Sequence, residues 1–113
     1  MWYAPKAGGG LGAPMLVPEL SSAGDEIGAV VSADGLWAYV SSDRTDLGSE
    51  GSVDIFLAHR PSRSVPFGPL VLQKDLSTTG SDRANWLSLD MCRLYIESDA
   101  NGQNDLYVAE KSP

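Results

Sequence analysis

The chain has 113 residues, of which 42% are hydrophobic, and its 15 acidic and 8 basic residues give a formal net charge of −7. This length predicts one domain with a hydrophobic core, and no apolar run approaches the ~20 residues of a transmembrane helix. The basic residues are scattered, which excludes nucleic acid and anionic membrane surfaces as expected partners, because both are bound by concentrated Lys and Arg.

Short apolar runs alternate with turn residues along the whole chain, which contains 12 Gly and 7 Pro residues. No stretch carries apolar residues at i, i+3, i+4 and i+7 over three turns, the spacing of an amphipathic helix. Short strands joined by frequent Gly and Pro turns are typical of sheets. We therefore expect an all-β protein.

Glycine dominates residues 8–12, a composition that also occurs in phosphate-binding loops. Such a loop needs a strand before it and the start of a helix after it. Pro14 and Pro18 follow instead. We therefore predict a flexible loop between strands here, and no phosphate site.

A first group of strands is predicted between residues 28 and 73. Asp34-Gly35 forms its hairpin turn, because this dipeptide accepts the positive φ of a tight turn. A Pro-Phe-Gly-Pro turn at 66–69 precedes the last strand of the group. The four predicted strands are 28–32, 36–41, 53–58 and 70–73.

A second group of three strands is predicted at 85–88, 94–97 and 105–109. Its first turn is Asp90-Met91-Cys92, so that methionine stands where the first group has Gly35. Because methionine has a steric cost at positive φ, we expect this turn to be longer or of another type.

The two groups are copies of one repeat, related by an offset of 56 residues that holds without a gap for 25 positions. The second copy then loses five residues in a loop, after which 54–58 align with 105–109. Identity at polar turn positions makes chance a poor explanation. Eight of the 25 positions are identical: Leu20 and Leu76, Ser21 and Ser77, Gly24 and Gly80, Ser32 and Ser88, Asp34 and Asp90, Tyr39 and Tyr95, Ser42 and Ser98, Asp43 and Asp99.

The repeated pattern resembles the TolB-like, WD-like β-propeller repeat. Residues 32–35 and 39–44 carry the first match, and residues 88–90, 94–99 and 105–108 carry the second. The chain departs from the family at Met91-Cys92, in place of Asp-Gly, and at Ala100, in place of Arg. The resemblance implies two consecutive four-stranded antiparallel blades of an incomplete ring, the second of which ends before its last strand.

This resemblance also predicts how the chain is divided. Residues 2–4 resemble 56–58 and residues 11–16 resemble 67–72, so we expect residues 1–19 to be the end of a preceding blade and a connecting strand. Residues 20–73 form repeat 1, and residues 74–113 form a truncated repeat 2.

TolB-like propellers act in the bacterial cell envelope and bind proteins through loops at the rim or mouth of the ring. The resemblance therefore implies a non-enzymatic protein-interaction scaffold in a periplasmic or other extracytoplasmic location. The loops 42–52 and 98–104 are the candidate contact surfaces, and exposed blade faces could also support self-association. The alternative is the propeller portion of a larger serine peptidase or glycoside hydrolase whose catalytic parts lie outside these residues.

Other candidate sites favour structural roles, and we predict no catalytic, cofactor-binding or metal-binding residue. His59 and Cys92 have no partner nearby in sequence that would activate a nucleophile. Asp25 and Glu26 are paired acids, but nothing fixes the separation that a glycosidase needs. The acidic residues in 43–54 and 99–105 lack the full ligand set of a calcium loop. The aromatic residues Trp37, Tyr39, Trp86, Tyr95 and Tyr107 are expected in the core.

Overall fold

The computed structural model describes residues 2–3, 6–7, 10–11, 15–21, 24–49 and 51–111. Within these ranges the chain forms strands and two short 3-10 turns, Pro18–Leu20 and Lys74–Leu76, which confirms the all-β prediction. The strands are β1 (Trp2–Tyr3), β2 (Lys6–Ala7), β3 (Gly10–Leu11), β4 (Met15–Leu16), β5 (Glu26–Val31), β6 (Trp37–Ser42), β7 (Asp54–His59), β8 (Val71–Leu72), β9 (Asp82–Leu87), β10 (Arg93–Ser98) and β11 (Asp105–Glu110).

Sheet 1 is a four-stranded antiparallel sheet in the order β5-β6-β7-β8. All four strands predicted for the first repeat are present, with ends displaced by one or two residues. The short strand β8 pairs Leu72 with Phe56 and Val71 with Leu57. Sheet 1 therefore has a short outer strand that covers the edge of β7.

Sheet 2 is a three-stranded antiparallel sheet in the order β9-β10-β11. The three predicted strands of the second repeat are present, and β9 begins three residues earlier than predicted. Its pairing with β10 skips Asn85, whereas the equivalent pairing in sheet 1 skips Ile27. Among the described residues no fourth strand pairs with β11.

The first strands of the chain repeat the end of sheet 1. β1 pairs with β4 so that Trp2 lies opposite Leu16 and Tyr3 opposite Met15, the arrangement that β7 and β8 also show. The turn Pro18–Leu20 follows β4 as Lys74–Leu76 follows β8. The predicted loop at 8–12 is wrong for Gly10 and Leu11, which form β3 and pair with β2; residues 8, 9 and 12 lie outside the described residues.

Two hydrophobic clusters occupy opposite faces of sheet 1, because successive side chains of a strand point to opposite sides. Cluster A contains Leu20, Ala38, Val40, Phe56, Ala58, Phe67 and Leu70, with Val17, Ala29 and Leu72 packed against it. Cluster B joins the two sheets and contains Ile55, Ala84, Leu94 and Ile96, with Val30, Tyr39, Leu76, Leu87 and Ala109 packed against it.

The hairpin turn of sheet 2 has the length and the conformation of its counterpart in sheet 1. Met91 has a φ of 62°, close to the 76° of Gly35, and the N–H of each residue donates to the serine carbonyl three positions earlier. The expectation of a longer or different turn at Met91 was therefore wrong. The structure holds a methionine in the left-handed region, where a side chain costs about 1–2 kcal/mol.

Candidate functional site

Backbone and serine hydroxyl groups form a hydrogen-bonded seam between the two sheets. The N–H of Ala84 donates to Ser41 Oγ at 2.9 Å and the N–H of Asp82 donates to the carbonyl of Val53 at 2.8 Å. Gly51 lies so close to the chain at 78–80 that a Cβ atom would overlap two carbonyl oxygens there. The seam and cluster B together fix sheet 2 against sheet 1.

Asp82 is buried at the start of β9 and is held by its neighbours. Its carboxylate accepts hydrogen bonds from the Ser98 hydroxyl at 2.6 Å and from the N–H of Thr78 at 2.6 Å. The Thr78 hydroxyl donates to the same carboxylate at 3.1 Å. This carboxylate therefore ties the entry of β9 to the end of β10, which is a structural role.

The identical polar residues of the repeat hold turns in both copies. Ser32 donates to Asp34 and Ser88 donates to Asp90, each at 2.6 Å. The serine hydrogen bonds are the largest cause that lowers the pKa of each aspartate. The second cause is the hydrogen bond from the backbone amide of residue 36 to Asp34 and of residue 92 to Asp90. The repeated serine and aspartate side chains therefore bind each other and the backbone amides of their turns.

Asp43 and Asp99 play a second repeated role, at the far end of each sheet. Asp43 Oδ1 accepts the N–H of Asp25 at 2.6 Å, and Asp99 Oδ1 accepts the N–H of Ser81 at 2.7 Å. Asp43 and Asp99 are the first acidic residues of the loops 43–54 and 99–105, which resemble calcium loops in composition. No three His, Cys, Asp or Glu side chains come together in the part of the chain that the structure describes.

Hydrogen bonds within residues 44–49 hold the first part of the loop 42–52, of which residue 50 lies outside the described residues. Arg44 forms a two-pronged pair with Asp46, with Nε at 2.6 Å and Nη2 at 2.8 Å, which lowers the pKa of Asp46. The Ser49 hydroxyl donates to the carbonyl of Arg44 at 2.5 Å. Between these anchors Leu47 has a φ of 60° and is 48% exposed. The loop presents a leucine to solvent in a conformation that leucine rarely adopts.

His59 contacts an aromatic ring, and Cys92 contacts a carbonyl of its own turn. The His59 ring lies over Trp37 with the ring centroids 4.0 Å apart, at the exposed end of β7. Cys92 Sγ lies 3.6 Å from the carbonyl of Asp90, within the turn that Asp90 holds. Of the acid pair at 25–26, Glu26 accepts a hydrogen bond from Ser42 Oγ at 3.3 Å.

Of the aromatic residues expected in the core, Tyr39 is partly buried against cluster B, and this burial raises its pKa. The expectation of a core position is wrong for Trp86 and Tyr107, which are 54% and 40% exposed. Trp86 lies against Tyr95, with the ring centroids 5.5 Å apart, on the face of sheet 2 that points away from sheet 1. The equivalent face of sheet 1 is covered by sheet 2.

Sequence reasoning did not predict a groove of about 350 Å³ beside β11. Its lining combines apolar residues of cluster B, the exposed strand β11 and the loop that precedes β11, including Leu76, Ile96, Ala100, Tyr107, Val108 and Ala109. Its position follows from the repeat, because no described residues lie beside β11 as β8 lies beside β7.

No protein-family model, curated protein or solved structure matches this chain. None of the helices among the described residues is long and apolar enough to cross a membrane.

Proposed function

We propose that the chain is a non-enzymatic protein-interaction scaffold of the bacterial cell envelope, built from two consecutive blades of the TolB-like, WD-like propeller type. Blade architecture is supported by the 56-residue offset, which relates strands, turns and hydrogen bonds of sheet 2 to those of sheet 1. It is also supported by the way in which the first strand of sheet 2, β9, lies against β5, the first strand of sheet 1.

The observation that carries the interaction role is the loop 42–52. Its hydrogen bonds hold Leu47 exposed and in the left-handed region. Strained backbone conformations cluster at binding sites because the surrounding structure must be built to hold them. A pre-ordered loop with an exposed apolar tip loses little conformational entropy on binding.

A capture experiment tests this role with the full chain immobilised against a bacterial envelope extract. In one variant, Thr45, Asp46 and Leu47 are replaced by serine together with Asn101, Gln103 and Asn104. The matched control changes Ser64→Ala and Val65→Ser, which lie in the connection at the opposite end of sheet 1. We expect the same captured proteins with the control and the unaltered chain, and their loss with the loop variant.

Unaltered capture by the loop variant would overturn the proposed role of the loops. The hydrolase alternative is tested by the reading frame on either side of these residues. A peptidase or glycosidase domain encoded there would favour a propeller that serves catalysis, and further repeats alone would favour the scaffold.

A further inference from the structure

Two dipeptides of the chain, Asp34-Gly35 and Asn101-Gly102, place a glycine directly after an aspartate or an asparagine. In such a pair the backbone nitrogen of the glycine can attack the side-chain carbonyl carbon and close a succinimide ring. The attack is intramolecular, which raises its rate, and glycine carries no side chain that hinders it. Both dipeptides lie in turns that the structure describes, and their contacts decide which of them reacts.

The contacts of Asp34 protect it from this reaction. Its carboxylate accepts hydrogen bonds from the Ser32 hydroxyl at 2.6 Å and from the N–H of Leu36 at 3.0 Å. These two bonds lower the pKa of Asp34 and so keep the side chain ionised. A carboxylate is a poor electrophile, because attack would place a second negative charge on it. The N–H of Gly35 is also held, by the carbonyl of Ser32 at 2.9 Å.

The Asn101-Gly102 dipeptide is more reactive because its side chain is neutral and its turn is open to solvent. Both residues are exposed, and Gly102 has a φ of 90°. A Cβ atom built on Gly102 would meet nothing within 4 Å, so water and hydroxide have free access to its N–H. This N–H donates to the carbonyl of Asp99 at 2.9 Å, which closes the turn.

One side-chain hydrogen bond holds the Asn101 carboxamide. Its Nδ2 donates to the Tyr107 hydroxyl at 2.7 Å. Tyr107 belongs to β11 and pairs with Ile96 of β10, so the hydroxyl group is carried by a paired strand. The attacking nitrogen and the carbonyl carbon must approach to about 3–3.5 Å in a productive geometry. The bond to Tyr107 opposes this approach, because it limits the rotation of the Asn101 side chain.

We propose that Asn101 is a site of spontaneous deamidation, at a rate limited by the hydrogen bond from its carboxamide to the Tyr107 hydroxyl. The Gly102 nitrogen gives up its proton to hydroxide and attacks Cγ of Asn101. A C–N bond forms, the Cγ–Nδ2 bond breaks, and Nδ2 leaves as ammonia with a proton taken from water. Water then opens the succinimide at either carbonyl group, which leaves aspartate or isoaspartate at position 101. The whole reaction consumes one water molecule and releases one ammonia molecule.

The product changes both the charge and the backbone of the loop 98–104. It adds a negative charge between Asp99 and Asp105, which repel it. Isoaspartate also inserts a methylene group into the main chain of the turn that Asp99 closes. Because Asp99 Oδ1 accepts the N–H of Ser81 at 2.7 Å, the change reaches the segment that leads into β9. The loop 98–104 is one of the proposed contact surfaces, but the reaction itself does not depend on that role.

The test follows the full chain during incubation at neutral pH, with peptide mass spectrometry after digestion. We expect the peptide that contains Asn101 to gain one mass unit in a growing fraction of the molecules, because an OH group replaces an NH2 group. Asn85 and Asn104 are internal controls, since they precede Trp86 and Asp105, whose side chains hinder the attacking nitrogen. An equal gain at all three asparagines would overturn the proposal.

A matched variant and a reference peptide define the reacting group. Asn101→Gln keeps a carboxamide but moves its carbonyl carbon one bond further from the main chain, so the mass gain should disappear. A synthetic peptide of residues 98–105 lacks Tyr107, and it should react at least about fivefold faster than the chain, the effect of one hydrogen bond. A chain that stays unmodified after the peptide has reacted completely would overturn the proposal, as would an unchanged mass gain in Asn101→Gln.

Tyr107→Phe tests the hydrogen bond that holds the carboxamide. It removes the hydroxyl group, keeps the ring, and should raise the deamidation rate about fivefold. Tyr95→Phe is the matched control, because it removes a hydroxyl group from the neighbouring strand β10 and should leave the rate unchanged.

Hydrogen exchange of the Gly102 amide, measured by NMR, separates this effect from a general loosening of the turn. The exchange rate should be the same in Tyr107→Phe and Tyr95→Phe, since the bond from Gly102 to Asp99 remains in both. A deamidation rate in Tyr107→Phe that does not exceed that of the unaltered chain would overturn the proposal. Gly102 exchange that rises together with the deamidation rate would also overturn it, because opening of the turn would then limit the reaction.

Discussion

Strands β7 and β11 occupy the same position in two copies of one repeat, yet their surroundings differ. β7 has β8 on its outer edge, and the Phe67 and Leu70 side chains pack with Phe56 in cluster A, so Phe56 is completely buried. Among the described residues no strand lies on the outer edge of β11, and the aligned Tyr107 is 40% exposed. The residues of a repeat therefore determine which positions face inward, whereas the neighbours determine whether those positions are buried.

The largest expected effect is at this aligned pair of rings. Phe56→Ala should lower the free energy of unfolding by about 3–5 kcal/mol, because it removes a fully buried aromatic side chain. Tyr107→Ala should cost about 1 kcal/mol or less, since surface substitutions rarely cost more. Chemical denaturation of both variants measures the difference, and equal losses would mean that β11 is as well covered as β7.

The seam between the sheets gives the next largest effect. Gly51→Ala places a Cβ atom against the carbonyl oxygens of Thr78 and Gly80, and should cost about 1–3 kcal/mol as an overpacked contact. Gly28→Ala is the control, because a Cβ atom there meets nothing within 4 Å. Thermal unfolding should separate the two variants. A Gly51→Ala protein as stable as the Gly28→Ala protein would refute the close approach of residues 51 and 78–80.

The two hairpin turns provide a smaller and opposite pair of effects. Met91→Gly should raise the free energy of unfolding by about 1 kcal/mol, because glycine adopts a φ of 62° without steric cost. Gly35→Ala should lower it by a similar amount, and its Cβ atom would also crowd Arg63 Nε at 2.9 Å. Destabilisation by Met91→Gly in urea unfolding would show that the methionine side chain contributes more than its backbone costs.

The smallest effect concerns the pH dependence of the turn aspartates. Hydrogen bonds hold the pKa of Asp34 and of Asp90 below the ordinary aspartate value. Because the folded-state pKa is the lower one, this stabilisation is complete above the unfolded-state pKa, about pH 4, and is lost as the pH falls through the folded-state value.

Ser88→Ala removes the largest cause at Asp90 and leaves Asp34 unaltered. A carboxyl-carbon NMR titration should then show that the pKa of Asp90 rises toward its ordinary value while the pKa of Asp34 stays low. If the pKa of Asp90 does not move, the Ser88 hydroxyl is not the group that lowers it.

The sequence predicted the strands of both repeats because the offset of 56 fixes their order and the Gly and Asp turns separate them. It failed at Met91, since propensity disfavours methionine at positive φ, while Ser88 and Asp90 hold the turn through hydrogen bonds. It also failed at Trp86 and Tyr107. The alternation of side chains along a strand predicts which residues share a face, but it does not predict whether another element packs on that face. The groove exists because no described strand lies beside β11 and because Ala100 is too small to cover the Tyr107 ring. Only the structure shows this second effect.

Native-state hydrogen exchange at two aligned amides tests most directly whether sheet 2 is a copy of sheet 1 with an open edge. The amide of Leu57 points to β8 and that of Val108 points to the free edge of β11. We predict strong protection of Leu57 and fast exchange of Val108, with Tyr107, which pairs with β10 at Ile96, protected. Protection of Val108 equal to that of Leu57 would contradict the open edge of sheet 2.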